Sequence, residues 1–186
     1  MNKLEESGVY FDTKDCANFF MRLVIIIVDG GIVIGSFLVF FDIEESIFWS
    51  TGNTYSTSLI IWLGFLYLYL VEMKRRCGSL GNMVTSTKLV SLHGTIPSIS
   101  SMITRSVISI FLSIPLLLID WVWMLGDPSR QMVRDKFTGV YVVKKGRSAA
   151  GNGKFTYSNY MLAGFNLIFK EVKRNKNQPV AEDDGQ

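Results

Sequence analysis

Two charged residues, Arg22 and Asp29, lie inside a long apolar run at residues 18–41. They are seven residues apart, about two turns of an α-helix, so both side chains project from one helix face. A charge at the centre of a bilayer costs roughly 2.5–3.5 kcal/mol on insertion scales, so Asp29 needs a polar neighbour or water. The functional hypothesis is that Asp29 binds a proton or a cation. The structural alternative is a contact that holds two helices together.

A second group of charges surrounds the third apolar stretch, residues 99–125. Asp120 lies near the end of this stretch, where it is a candidate for contact with Arg22 or Arg105. Basic residues at the cytoplasmic boundary either bind lipid headgroups or form a charge network with Asp29 or Asp120. These residues are Arg105, Arg130 and Arg134, with Asp135 beside them.

The remaining reactive residue types do not form a recognisable catalytic or metal-binding pattern. The chain has one histidine and two cysteines, Cys16 and Cys77, too few for a zinc or disulfide framework. No phosphate loop and no nucleophile–base pair can be argued from spacing. The net charge of +3 is too weak to indicate nucleic-acid binding. We therefore expect neither enzymatic activity nor a cofactor, a metal ion or a nucleic-acid partner.

The positioning elements are membrane helices, because the apolar residues are clustered. Charged residues make up 19% of the chain, below the roughly 25% of soluble domains. The runs at 18–41 and 57–71 are each long enough to cross the hydrocarbon layer. Basic residues follow the second run, which predicts a cytoplasmic N-terminus. We expect a multi-pass protein of a bacterial inner membrane, since no cleavage site closes the first run.

The third apolar stretch contains Pro115 near its middle and has basic segments on both sides. Both flanks are then expected on the cytoplasmic side, which one straight crossing cannot satisfy. A helix broken at Pro115 into two half-helices that enter and return satisfies it. The alternative is a single kinked third span with an external C-terminus.

The rest of the chain completes the predicted organisation. Residues 88–92 and 139–143 are expected to pair as two cytoplasmic strands. The predicted fold is an all-α integral membrane protein with two transmembrane helices, a Pro-broken re-entrant helical pair and this small strand pair. The predicted segments are a polar cytoplasmic N-terminus (1–17), a membrane domain (18–145), a linker (146–158), an amphipathic interfacial helix (159–174) and a disordered tail (175–186).

Gly31 and Gly35 form a small-xxx-small step in the first apolar run. Such a step lets another helix backbone approach closely, either within the chain or in a homodimer. We therefore predict helix packing at this step.

Several motifs, in this order, resemble the RDD family of small bacterial membrane proteins. Arg22 opens the first membrane helix and Asp29 lies within it. Arg105 opens the third apolar stretch. The other matching motifs are Gly78-Ser-Leu-Gly-Asn82 before a short strand, and Arg134-Asp135-Lys-Phe-Thr-Gly-Val-Tyr-Val142. The chain departs from the family pattern at Asn82, where lysine is usual, at Arg134, where histidine is common, and at Thr138-Gly-Val140, which replaces Ala-Gly-Thr.

The resemblance covers about residues 18–145 and implies that the family signature falls on Arg22, Asp29 and Asp135. It implies two functions, since some members are described as cation/proton antiporters and others as accessory membrane subunits. The first hypothesis is a small, oligomeric transport or ion-handling protein that exchanges a monovalent cation or a proton at Asp29. The alternative is a non-catalytic membrane adaptor or assembly subunit. The expected partners are the lipid bilayer and either further copies of the chain or another membrane protein.

Overall fold

The first apolar run forms helix α1, Phe19–Thr51, which has 33 residues. The computed structural model describes residues 7–51, 57–113, 117–127, 129–162 and 165–174. The Asn18 side chain accepts a hydrogen bond from the Met21 backbone at 2.9 Å and so caps the start of the helix. The helix continues ten residues beyond the predicted run, so its acidic end is helical up to Thr51.

Helix α1 is long and apolar enough to cross a membrane. Only 11% of its apolar window is buried inside the protein. Large apolar side chains on it are exposed instead, including Phe20, Ile27, Ile34 and Leu38. An apolar surface of this extent indicates contact with lipid or with another protein.

The second apolar run forms one unbroken helical path of three parts. These are α2 (Thr57–Tyr67), a π-helical turn (Leu68–Met73) and α3 (Lys74–Arg76). The path lies against α1, because Trp62 donates a hydrogen bond to Ser36 at 3.1 Å and Tyr69 donates one to Asp29 at 2.8 Å. The partners run in opposite order along the two helices, so the pair is antiparallel.

The third apolar stretch forms α5 (Ile99–Ser113) and α6 (Leu117–Gly126). The predicted break at Pro115 lies outside the described residues. Arg105 and Asp120 contact neighbouring residues of the short helix α7 (Val133–Thr138). A straight helix would hold these two residues about 22 Å apart along its axis. The arrangement favours the re-entrant alternative, while the number of membrane crossings stays a prediction.

The predicted strand pair is confirmed with a shift of about one residue. Strand β2 (Thr87–Ser91) pairs antiparallel with β3 (Val140–Lys144). Alternate side chains divide between two cores, as the period of a strand requires. Leu89, Val140 and Val142 pack with residues of α1 and α5, whereas Val90, Tyr141 and Val143 pack with the N-terminal segment. Helix α4 (Leu80–Val84) precedes this strand pair and contacts α1.

The prediction of an all-α fold is wrong, because a second, three-stranded sheet follows. Its order is β1 (Ser7–Tyr10), β4 (Gly151–Leu162) and β5 (Phe165–Arg174), all antiparallel. Strand β4 occupies most of the predicted linker 146–158, and β4 and β5 replace the predicted interfacial helix 159–174. The predicted N-terminal segment 1–17 contributes β1, and the predicted tail 175–186 lies outside the described residues.

The burial pattern of β5 gives the physical reason for this correction. Phe169 is buried, while its neighbours Ile168 and Lys170 are exposed. This alternation has a period of two, which suits a strand with one covered face. Only the apolar content of the segment suggested a helix.

Candidate functional site

Arg22, Ile25 and Asp29 are the buried residues of α1, so the predicted shared face of Arg22 and Asp29 is confirmed. The two charges do not pair with each other. Each binds a separate set of partners from distant parts of the chain, and the two sets form two adjoining polar sites.

The Asp29 carboxylate is held by three elements. Lys74 donates to Oδ2 at 2.6 Å, Ser79 donates to the same oxygen at 2.7 Å, and Tyr69 donates to Oδ1 at 2.8 Å. The backbone N–H of Gly81 also donates to Oδ1, at 3.0 Å. The polar neighbour that the sequence demanded for Asp29 is thus present.

The π-helical turn explains how Tyr69 and Lys74 reach the same carboxylate. The backbone N–H of Lys74 donates to the carbonyl of Tyr69, which is the five-residue bond of a π-helix. In a regular α-helix, residues five apart differ by about 140° in direction. The wider turn brings both side chains to the side that faces α1.

Glycine is required at position 81, where α4 crosses α1. A Cβ atom at Gly81 would lie 2.8 Å from both the Cα and the carbonyl oxygen of Ile25. It would also lie 2.9 Å from Oδ1 of Asp29. Gly81 therefore lets the backbone come close enough to donate its hydrogen bond.

Lys74 lies beyond the second apolar run and is nearly enclosed, with 12% of its side chain exposed. Burial, together with the nearby Arg105 guanidinium, lowers the pKa of the Lys74 amine to about 8, although pairing with Asp29 opposes the change. The pKa of Lys74 therefore lies close to physiological pH, where its amine can release and regain a proton. Sequence reasoning used Lys74 only to assign orientation; its place as the first base after the second run was the available signal.

Asp135 is the centre of the second polar site. Its side chain is completely buried, and it pairs with Arg22 through Oδ2 and with Arg105 through Oδ1, the latter at 2.7 Å. Arg22 also donates to the backbone carbonyl of Arg130 at 2.7 Å. This site ties α1, α5 and α7 together.

The charges around Asp135 outweigh the effect of its burial. Burial alone raises the pKa of a carboxyl group, but Arg105 and Arg22, with a further contribution from Arg134, hold the pKa of Asp135 well below its usual range. The carboxylate is therefore charged at every physiological pH, which suits a structural ion pair.

The structure places Asp120 beside Arg134 rather than beside Arg22 or Arg105. The two charged groups are 3.5 Å apart, and Asp120 accepts a hydrogen bond from the backbone of Val133 at 2.7 Å. The predicted network of basic residues with Asp29 or Asp120 is thus found only in part, because Arg105 binds Asp135 instead.

A cavity of about 530 Å³ lies between these sites. Its volume falls within the range of ordinary ligand pockets. Asp29 and Lys74 both line it, and its other charged lining residues are Arg22, Arg105 and Arg134. Apolar residues of α1 and Leu70 form much of the remaining wall. Asp29 and Lys74 therefore face a half-open cavity, whereas Asp135 does not line it.

Gly31 and Gly35 do not pack against another helix within the described residues. A Cβ atom at either position would meet nothing within 4 Å. Intrachain packing at this step is therefore not found in the described part of the chain, and packing in a homodimer stays a prediction.

A third ionic group docks the β4–β5 hairpin and was missed in the sequence. Lys136 pairs with Asp127 at 2.5 Å and also with Glu171, which accepts a hydrogen bond from Ser158 at 2.7 Å. Phe169 packs edge-on against Phe137 beside this group. Glu171 is 35 residues from Lys136, so no local pattern indicated that the hairpin docks there.

A family model described as RDD family matches residues 16–139. The matched segment includes Arg22, Asp29, Lys74 and Asp135, and it ends before β3 and the β4–β5 hairpin. The resemblance drawn from the sequence motifs is therefore confirmed. Searches of the curated proteins and of the solved structures returned no significant match.

Proposed function

The chain belongs to the RDD family of membrane proteins, and from that premise we propose that it handles protons together with a small ion at the Asp29–Lys74 pair. The observation that carries the proposal is the 2.6 Å contact between these residues in the wall of the cavity. The proposal includes a multi-pass position in a bacterial inner membrane, a cytoplasmic N-terminus, an oligomeric state and no covalent catalysis.

The chemistry of the pair supports this proposal. Lys74 has a pKa of about 8, so its amine releases and regains a proton near physiological pH. Loss of that proton lowers the charge of the site by one unit. A cation that enters beside Asp29, or an anion that leaves the cavity, restores the balance. Proton movement and ion movement are coupled in this way by charge alone.

The π-helical turn supports the proposal independently. Such turns occur often at functional sites, where they reorient side chains. Here the turn at Leu68–Met73 directly precedes Lys74 and aligns it with Tyr69 on Asp29.

The test uses everted membrane vesicles that contain the protein, with a dye that reports the pH gradient. NaCl and KCl are added separately, and dequenching of the dye measures proton exchange. We expect Asp29→Asn to abolish any exchange above that of empty vesicles, at unchanged membrane levels. Asp42→Asn is the matched control, since Asp42 is exposed near the far end of α1. Wild-type exchange in Asp29→Asn, or no exchange in the wild type with either salt or with sodium phosphate, would overturn the proposal.

One observation favours the adaptor function as a second candidate. The β4–β5 hairpin exposes large apolar side chains, with Met161 82% and Ile168 63% exposed. Exposed apolar groups at one place often mark an interaction surface. Purification in mild detergent tests this candidate: a stoichiometric second protein that is lost in Met161→Ser/Ile168→Ser supports it, and a species containing only this chain contradicts it.

A further inference from the structure

The charges that line the cavity do not balance. Four cations line it, namely Arg22, Lys74, Arg105 and Arg134. They are matched by three carboxylates: Asp29 pairs with Lys74, Asp120 lies beside Arg134, and Asp135 serves both Arg22 and Arg105. Counted over the part of the chain that the structure describes, the polar end of the cavity therefore carries one uncompensated positive charge. An uncompensated charge in a low-dielectric interior is costly, so an anion is favoured there.

Arg134 is the least well partnered of the four cations. Its Nη1 donates to Ser109 at 3.2 Å, its Nη2 lies 3.0 Å from the Met132 sulfur, and Asp120 is 3.5 Å away. The 3.5 Å contact is between its buried Nε and Asp120 Oδ2, and within the described residues Nε donates no hydrogen bond. A buried guanidinium usually binds a carboxylate or a phosphate through two close hydrogen bonds, and none is present here.

A second buried donor in the cavity wall also lacks an acceptor. Asn82 is 1% exposed, and its Nδ2 has no hydrogen-bond partner within the described residues. A buried amide N–H without an acceptor costs about 1–3 kcal/mol. Asn82 and Arg134 both line the cavity, so it presents two incompletely paired buried polar groups to an acidic occupant.

The rest of the cavity wall is apolar. Ile26, Val33 and Ile34 of α1 and Leu70 of the π-helical turn line it. Ile34 is 63% exposed, so this wall continues onto the lipid-facing surface of α1. An occupant therefore needs both an anionic head and an apolar chain.

We propose that the cavity binds an anionic membrane phospholipid, with the phosphate beside Arg134 and Asn82 and an acyl chain along Ile26, Val33 and Ile34. This proposal rests on the proposed function in taking the same cavity as the site of action. It adds a second ligand for that cavity, an amphiphilic phosphate that binds at the basic groups away from Asp29.

The test measures lipid binding to the purified full-length chain after detergent exchange. The probes are phosphatidylglycerol, phosphatidylcholine and inorganic phosphate, followed by native mass spectrometry. We expect phosphatidylglycerol to remain bound at near one molecule per chain, at least tenfold above phosphatidylcholine. Addition of 10 mM inorganic phosphate is expected to leave it bound.

Two variants remove the site by different means. Arg134→Gln removes the headgroup partner, with Arg76→Gln as a control, since Arg76 is 66% exposed and pairs with Glu72 outside the cavity. Gly30→Leu fills the cavity, because Gly30 lines it and an added Cβ meets nothing within 4 Å. Gly64→Leu is its control, at an open position on α2 away from the cavity. We expect a tenfold loss of phosphatidylglycerol in both site variants and none in the controls.

Several results would overturn the lipid proposal. These are equal retention of the two lipids, wild-type retention in Gly30→Leu, and displacement of the lipid by inorganic phosphate, which would indicate a soluble phosphate ligand. The measurements distinguish failure of the proton-exchange proposal from failure of the lipid-binding proposal. Retained lipid binding with normal exchange in Asp29→Asn contradicts only the proposed function. Lost lipid selectivity with exchange that still depends on Asp29 contradicts only the lipid site.

Discussion

The two aspartates of the family signature, Asp29 and Asp135, occupy neighbouring sites that differ in their surroundings. Asp135 is completely buried and binds two arginines, which can release no proton at physiological pH. Asp29 binds a lysine, a tyrosine and a serine, and it lines a cavity. The same residue type thus serves a structural role in one place and is available for chemistry in the other. The role of each aspartate follows from the residues that it binds and from whether it lines the cavity.

The largest expected effect comes from breaking the Asp135 site. In Asp135→Asn, Arg22 and Arg105 lose their shared counter-charge in a buried place, which typically costs about 3–5 kcal/mol. We expect a large fall in unfolding temperature in detergent and low membrane levels. Asp42→Asn serves as the surface control. If Asp135→Asn is as stable as the wild type, Asp135 does not have the structural role that distinguishes it from Asp29.

A smaller effect is expected where α4 meets the Asp29 site. Gly81→Ala forces a methyl group to within 2.8 Å of the Ile25 backbone, and overpacking of this kind typically costs about 1–3 kcal/mol. We expect a lower unfolding temperature together with reduced proton exchange, because the Gly81 N–H moves away from Asp29. Gly64→Ala, at an open position, should change neither. Normal exchange in Gly81→Ala would mean that the geometry of Asp29 is not critical.

The smallest effect is a difference in acid stability. The pKa of Asp135 in the folded chain lies below its ordinary value of 3.8, so the unfolded chain binds more protons as the pH falls past that value. The stabilisation is complete above it and is lost progressively below it. Between pH 5 and pH 3 we expect the wild type to lose about 1 kcal/mol more than Asp135→Asn, measured by denaturant unfolding. Equal losses would show that Asp135 does not titrate in this way.

Local patterns in the sequence predicted which residues share a helix face and which segments pair as strands, but not the partners of the buried charges. The seven-residue spacing predicted the shared face of Arg22 and Asp29, and alternation predicted the β2–β3 pair. The partners could not be derived from spacing. Lys74 is 45 residues from Asp29, and Asp135 is 113 residues from Arg22, so only folding brings them together.

Strand β5 and the end of β4 were mistaken for an interfacial helix for a related reason. Apolar and polar residue types do not alternate along β5, since the apolar Ile168 is exposed next to the buried Phe169, so the alternation in burial is not visible in the sequence. What fixes the segment as a strand is its pairing with β4 and the ionic contact between Glu171 and Lys136. Both are long-range interactions that override local preference.

The most direct test of the central claim is proton exchange by Lys74→Arg in proteoliposomes. Arginine keeps the positive charge beside Asp29 but does not release a proton near neutral pH. The account predicts that exchange is lost while the unfolding temperature stays close to that of the wild type. Exchange at the wild-type rate in a folded Lys74→Arg protein would contradict the claim that this lysine carries the proton.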